Sequence, residues 1–180
     1  MFRLVVPAGE WWDELNDEFI YTKRQVLQLE HSLVSISKWE SKWGKPFLDE
    51  AVKTREESLD YIRCMTMTQN VDPNVYLNIN DELIQKVDDY INAKMTATTF
   101  TGSSEKPGRG QKITSELIYY WMIAYQVPME CQKWHLNRLL TLIRICEIKN
   151  SKPKKMSEKE VSMRYEAINE ARKKKLKTKG

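Results

Sequence analysis

The sequence predicts a mainly α-helical protein, a helical bundle with a small N-terminal β element and a helical hairpin in its central to C-terminal part. Apolar residues recur at helical spacing through residues 113–147, the longest apolar run of the chain. Apolar residues alternate along residues 2–6, as in a strand. Sequences typical of helix starts precede several further segments. These three patterns make helices the main secondary structure and place the strands at the N-terminal end.

Residues 113–147 are expected to form two helices joined as a hairpin or a helix-turn-helix. Each helix has apolar residues that share one face: Leu117, Trp121, Ala124 and Tyr125 in the first, and Leu136, Leu139, Leu140 and Ile143 in the second. The break falls at Val127-Pro128, because proline pushes the residue before it out of the α region and suits the first turn of a following helix. Thr114 is expected to cap the first helix.

The β element is expected to be a hairpin or a two-stranded ribbon. Its first strand covers residues 2–6 and ends at Pro7, and a second extended segment covers residues 24–30. Two residues next to this element, Trp11 and Trp12, are adjacent and cannot easily both face a core. At least one of them is therefore expected to lie under a neighbouring subunit or partner.

The remaining helices are predicted from their caps. Residues 31–43 read as a helix that ends at Gly44, and Thr54 opens a capping box with Glu57 ahead of a helix to about residue 67. Residues 70–80 read as a turn that ends at Asn80, the expected cap of a helix over residues 81–95. A capping box at Ser157 precedes a last helix, whose pattern fades from Arg172 into a lysine-rich tail.

Four segments follow from these patterns. Residues 1–97 hold the β element and helices, residues 98–111 a flexible loop rich in glycine and small polar residues, residues 112–149 the helical hairpin, and residues 150–180 a basic helix and tail. The loop is not a phosphate-binding loop, because no Gly-Lys-Ser or Gly-Lys-Thr closes it at the required spacing.

Composition and charge narrow the class of protein. The chain has 180 residues, of which 41% are hydrophobic and 30% charged, and no uncharged apolar run approaches the roughly 20 residues of a bilayer-spanning helix. The N-terminal segment lacks the apolar core of a signal peptide, so an intracellular protein with reduced cysteines and no membrane contact is expected. Residues 149–180 carry twelve Lys or Arg against four Glu, whereas residues 1–148 carry 17 against 21. The tail is therefore strongly basic and the body mildly acidic.

The sequence predicts no catalytic residue, no cofactor and no metal ligand. His31 and His135 lie far apart without neighbours at metal-ligand spacing, and the three cysteines form no CxxC pair. Cys131 and His135 are four residues apart, which on one helix would bring a thiol to an imidazole, but a third group to orient the base is missing. A non-enzymatic protein is therefore expected.

Aromatic residues are the candidates for contact with a partner. The six tryptophans offer large rigid surfaces of the kind found both in cores and at interface hot spots. Five residues are predicted to form a partner-binding grip with a charged rim: Trp121, Tyr125, Trp134, Arg138 and Leu140.

Four segments, in this order, carry a resemblance to a known family: EHSLVSISKWESKWGKPFL, KTREESLDYI, ITSELIYYWMIAYQVP with KWHLNRLLTLI, and the charged stretch NEARKKKLKTKG. Their layout resembles the tail assembly chaperones of long-tailed bacteriophages, which are small, mostly helical and cytoplasmic. The resemblance implies a protein of the host cell cytoplasm that binds the tail tube protein and the tape measure protein and keeps both soluble until the tube polymerises. It also implies a longer product made by ribosomal frameshifting near Lys173–Lys175, and no catalytic residues.

Two alternatives stay open beside this expectation. One is a structural virion protein of the neck, connector or baseplate, with the same tryptophans in permanent interfaces. Another is a nucleic-acid-binding module that uses the helix-turn-helix-like hairpin and the lysine-rich tail, although the second helix of the hairpin is too apolar to enter a groove. The chain is also a candidate for homo-oligomer formation.

Overall fold

A computed structural model describes residues 1–49, 51–100, 112–151 and 158–176 of the chain. It forms two compact units, Met1–Glu147 and Ile148–Gly180. The prediction of a mainly helical protein with a small N-terminal β element is confirmed. Elements from both sides of residues 101–111 contribute to the core of the first unit.

The β element is one long antiparallel hairpin. Strands β1 (Phe2–Val6) and β4 (Gln25–Leu29) pair near the core, and β2 (Gly9–Asp13) pairs with β3 (Glu18–Thr22) further out. Both pairs keep the same register, with Val6 opposite Gln25 and Gly9 opposite Thr22. The pairing is interrupted at Pro7, which has no backbone N–H to donate. The inner ribbon confirms the predicted strands, whereas the outer pair was not predicted.

Three helices and a 3-10 turn follow the hairpin. They are α1 (Leu33–Trp43), α2 (Arg55–Met65), a 3-10 helix (Pro73–Asn78) and α3 (Asp81–Asn92). The caps at Thr54 and Asn80 and the stop at Gly44 are confirmed. Ser32 and Ser35, which are not among the caps predicted from the sequence, form a capping box at the start of α1.

The apolar segment predicted as a hairpin contains α4 (Ser115–Ala124), a 3-10 helix (Met129–Lys133) and α5 (Leu136–Asn150). Thr114 caps α4 as predicted. The second helix begins at Leu136 rather than at Pro128, because the chain first makes the 3-10 turn. Helix α4 packs against α1.

The two helices differ in how well the sequence predicts their buried faces. In α5 the predicted face is buried through Leu136, Leu139 and Ile143, and Leu140 is half-buried. In α4 the prediction was wrong: the buried residues are Ser115, Ile118 and Met122, and the predicted ones are half-buried or exposed. This helix is apolar on almost every side, so the helical period does not select the face that meets α1.

The core of the first unit lies between the inner ribbon and the helices. Most of its largest fully buried side chains come from these two: Leu4, Leu27 and Leu29 from the ribbon, and Leu33, Ile36, Trp39, Ile62, Met65, Ile118, Met122 and Leu136 from the helices. Each side chain of this size contributes roughly 1.5–3 kcal/mol when it is removed from water. This burial holds α1 and α4 together.

The second unit contains α6 (Glu158–Leu176), which reaches beyond Arg172, where the sequence pattern fades. Three predictions fall outside the described residues: the Ser157 capping box, residues 101–111 of the loop, and residues 177–180 of the tail. Within the described ranges, the helices lack the combination of length and apolar character that crossing a bilayer requires.

Candidate protein-interaction surfaces

Helix α4 presents an apolar surface to solvent. Tyr120 is 64% exposed and Ile123 is 69% exposed, and Trp121 and Tyr125 are half-buried beside them. Glu116, in the first turn, is the charged residue of this helix. We call Tyr120, Trp121, Ile123 and Tyr125 the α4 surface. Apolar groups this exposed on one helix favour contact with another protein.

The position of α4 is fixed by a buried carboxylate on α1. One oxygen of Glu40 accepts a hydrogen bond from the Phe47 amide at 2.7 Å, and the other accepts one from the Ser115 amide at 2.8 Å. Glu40 is only 7% exposed. Because Ser115 is the first residue of α4, the carboxylate also lies at the positive end of the helix dipole. From the middle of α4, the Tyr119 hydroxyl donates to Gln132 Oε1 at 2.9 Å and connects the helix to the 3-10 turn.

The five residues predicted as a partner grip lie in different settings. Trp121 and Tyr125 belong to the α4 surface, and Leu140 is half-buried against the core. The Arg138 guanidinium lies 4.1 Å from the centre of the Trp134 ring, so these two residues form a cation–π pair. That one partner uses all five residues stays a prediction.

Tyr120 and Ile123 are the exposed residues of α4 that the sequence prediction missed. The available signal was the composition of the helix, SELIYYWMIA, which is apolar around nearly its whole circumference. Such a helix either lies inside a core or has a face left for a partner. Packing against α1 buries one face of α4 and leaves the opposite face exposed to solvent.

A second surface lies on the outer half of the hairpin, residues 9–22, which we call the aromatic arm. Trp12 and Phe19 lie opposite each other on β2 and β3, with ring centres 4.8 Å apart, and Tyr21 lies 6.2 Å from Phe19. Their exposed fractions are 48%, 52% and 70%. The adjacent Trp11 is 45% exposed, so neither of the two tryptophans is buried in the chain itself.

The structure brings together two histidines that the sequence keeps apart. The rings of His31 and His135 have their centres 5.0 Å apart in the core. His31 Nδ1 lies 2.5 Å from the Tyr61 hydroxyl. His135 Nε2 bonds the Tyr90 carbonyl oxygen at 3.1 Å, and its Nδ1 accepts from the Asn137 amide at 3.3 Å. Tertiary packing therefore joins the start of α1 to the start of α5.

Both histidines are held in the neutral form. Burial, with a smaller effect of the neighbouring ring of His135, lowers the pKa of His31 from 6.5 to about 3. Burial also lowers the pKa of His135. Cys131 lies in the 3-10 turn rather than on a helix with His135, and both nitrogens of His135 are already bonded. The Cys131–His135 spacing therefore does not create the helical thiol–imidazole pair considered from the sequence.

The described residues contain no cluster of three or more His, Cys, Asp or Glu that could hold a metal ion. Comparison of the chain with protein-family models, curated proteins and solved structures finds no match. The surfaces themselves are therefore the basis for a functional proposal.

Proposed function

We propose that this protein is a non-enzymatic assembly chaperone that binds partner proteins through the α4 surface. Its partners in this proposal are the tail tube protein and the tape measure protein of a long-tailed bacteriophage, and it acts in the host cell cytoplasm during tail assembly. The proposal treats α4, the 3-10 turn and α5 as a hairpin unit within a helical bundle. The exposed apolar face of α4 is the observation that carries it.

The chemistry of the α4 surface suits an assembly chaperone. Subunits that polymerise expose strand edges or apolar helix faces before they assemble, and these groups aggregate unless they are covered. A helix face that offers Tyr120, Ile123 and half of Trp121 covers such groups by apolar contact. The Glu40 anchor adds rigidity, since a fixed helix loses little entropy when a partner binds.

The basic end of α6 favours nucleic-acid binding as a second candidate function. Arg172, Lys173 and Lys175 are exposed there, and clustered cations bind phosphates by releasing counterions. A DNA affinity that falls steeply with salt, and that is lost when these three residues become Gln, would support this function instead.

The proposed function is tested by capture of the two tail proteins. The tube and tape measure proteins of the same genome are co-expressed with the tagged chain and recovered by affinity purification. We expect the Tyr120→Ser/Ile123→Ser variant to lose at least about tenfold in captured partner, because each lost apolar contact contributes on the order of 1 kcal/mol. Its melting temperature should stay unchanged, since both side chains are mostly exposed.

Val52→Ser is the matched control, because Val52 is 95% exposed and lies away from α4 in the sequence. It should capture both partners as the unchanged chain does. Equal capture by the α4 variant and the control would contradict the proposal. Abundant protein in purified virions would favour a structural virion protein.

Trp134→Ala tests the wider grip. The substitution should weaken partner capture strongly and lower the melting temperature only slightly, and comparable losses of both would make Trp134 a core residue.

A further inference from the structure

The aromatic arm is fixed on one face and free on the other. Asn78, at the end of the 3-10 helix, accepts from Trp11 Nε1 at 2.5 Å and donates to the Pro7 carbonyl at 3.1 Å and to Thr22 Oγ1. Successive side chains of a strand point to opposite faces. Trp12 therefore projects from the face opposite to Asn78, and that face is the solvent-exposed one.

The arm is acidic as well as aromatic. Residues 9–22 contain five acidic residues and no Lys or Arg: Glu10, Asp13, Glu14, Asp17 and Glu18. Glu10 shares the face of Trp12, and Glu14 and Asp17 lie exposed in the turn that joins β2 to β3. An aromatic face bordered by these carboxylates matches a surface that offers apolar side chains flanked by cations. Aromatic rings also attract cations directly when the cation lies over the ring face.

Helix α6 has such a surface. Tyr165, Ile168 and Leu176 are 63%, 39% and 69% exposed, and their spacing places them along one side of the helix. Residues 172–175 are Arg-Lys-Lys-Lys, and the segment 149–180 has a net charge of +8. The charge of α6 and its flanks is opposite to that of the arm.

We propose that the aromatic arm of one copy binds helix α6 of a second copy, so that the protein assembles with itself. Trp12, Phe19 and Tyr21 pack on Tyr165 and Ile168. Glu10 and the carboxylates of the turn face the cations at the end of α6. The contact joins two different surfaces, so each copy offers one donor and one acceptor site. It therefore produces a ring or a chain of copies, or a dimer with two reciprocal contacts.

The contact is expected to depend on salt. Charges on a solvent-exposed interface are screened over about 10 Å at 0.1 M salt and about 3 Å at 1 M salt. Nuclease-treated protein should therefore be larger than a monomer in light scattering at about 50 mM salt and should dissociate as the salt rises. A monomer at low salt would overturn the proposal, and so would an assembly that nuclease treatment abolishes, since nucleic acid would then bridge the copies.

Mixing two variants gives the decisive test. Trp12→Ser/Phe19→Ser disables the arm and keeps α6, and Tyr165→Ser/Ile168→Ser disables α6 and keeps the arm. Each variant alone should be a monomer, and an equimolar mixture should give a dimer and nothing larger, because only one contact per pair remains. All four side chains are substantially exposed, so circular dichroism and the melting temperature should match those of the unchanged chain.

Charge reversal provides the rescue. Glu10→Lys/Glu14→Lys and Lys173→Glu/Lys175→Glu should each reduce assembly at low salt, and a chain with all four changes should regain it. A mixture that stays monomeric, or a fourfold variant that is no better than either pair, would refute the arm–α6 contact. Capture of tube or tape measure protein should persist in all these variants, because the α4 surface is intact, so the two proposals fail separately.

Discussion

Replacing Glu40 should lower the free energy of unfolding by more than the loss of one hydrogen bond would, because its two oxygens accept hydrogen bonds from amides in two separate segments. Glu40 joins α1 to the loop at Phe47 and to the first residue of α4, with distances of 2.7 and 2.8 Å. A hydrogen bond to a charged group contributes about 1.5–3 kcal/mol, so Glu40→Ala should lower the free energy of unfolding by about 3–6 kcal/mol. This is a large fraction of the about 5–15 kcal/mol that stabilises a typical domain.

Two further variants separate the hydrogen bonds from the loss of side-chain volume. Glu40→Gln keeps one carbonyl oxygen and should lose about half as much free energy, about 1.5–3 kcal/mol. Glu56→Ala removes an exposed carboxylate from the first turn of α2 and should cost less than about 1 kcal/mol. The expected order of stability is therefore the unchanged chain, Glu56→Ala, Glu40→Gln and Glu40→Ala.

Urea unfolding followed by tryptophan fluorescence measures these differences, and hydrogen exchange at the Ser115 amide reports whether α4 is released. Exchange there should become faster in Glu40→Ala and stay unchanged in Glu56→Ala. The reasoning is refuted if Glu40→Ala and Glu56→Ala agree within about 0.5 kcal/mol, the spread expected of ordinary surface substitutions. Unchanged exchange at Ser115 would show that other contacts hold the start of α4.

Three further predictions concern acid stability, a helix end and the base of the arm. Burial lowers the pKa of His31 from 6.5 to about 3, so between these pH values the unfolded chain binds a proton at His31 that the folded chain does not. The contribution of His31 to the free energy of unfolding is therefore fully present above pH 6.5 and falls below it by up to about 1.4 kcal/mol per pH unit. His31→Asn should reduce that slope in urea unfolding at pH 7 and pH 5, and an identical slope would contradict the assignment. Gly44 ends α1 at φ 62°, and a Cβ added there would meet open space, so Gly44→Ala should cost about 1 kcal/mol of backbone strain alone, and unchanged calorimetric stability would refute this. Gly9→Ala places a Cβ 2.2 Å from Asn78 Oδ1, so the Asn78 side chain must move. The fluorescence of Trp11 should shift as its hydrogen bond to Asn78 is lost, and an unchanged spectrum would show that the arm adapts.

The local features of the fold were predictable from the sequence because their causes are local. Thr54 and Asn80 accept hydrogen bonds from amides three residues ahead, and Gly44 adopts a left-handed conformation at no steric cost. The same holds for Thr114 and for the break that precedes Pro128. The inner strands were predicted from the alternation of Phe2–Val6, since one face of that ribbon is buried.

The outer hairpin could not be predicted in this way. Gly9–Asp13 and Glu18–Thr22 show no clean alternation, because both faces of the arm are partly exposed and nothing selects apolar residues for one of them. Their pairing follows from the inner strands, which set the register for the whole hairpin. The aromatic face of the arm is therefore a property of the pairing.

The sequence by itself determined where α1 ends and where α2, α3 and α4 begin, that α4 is apolar, and that the tail is basic, since these depend on neighbouring residues and on composition. Only the tertiary structure decided which face of α4 is exposed, because α1 and Glu40 select the face that is covered. It also decided that His31 meets His135, since contacts between distant segments are made by packing and leave no periodic signal in the sequence. The exposure of Tyr120 and Ile123, residues of the proposed partner site, is set by which face of α4 packs against α1.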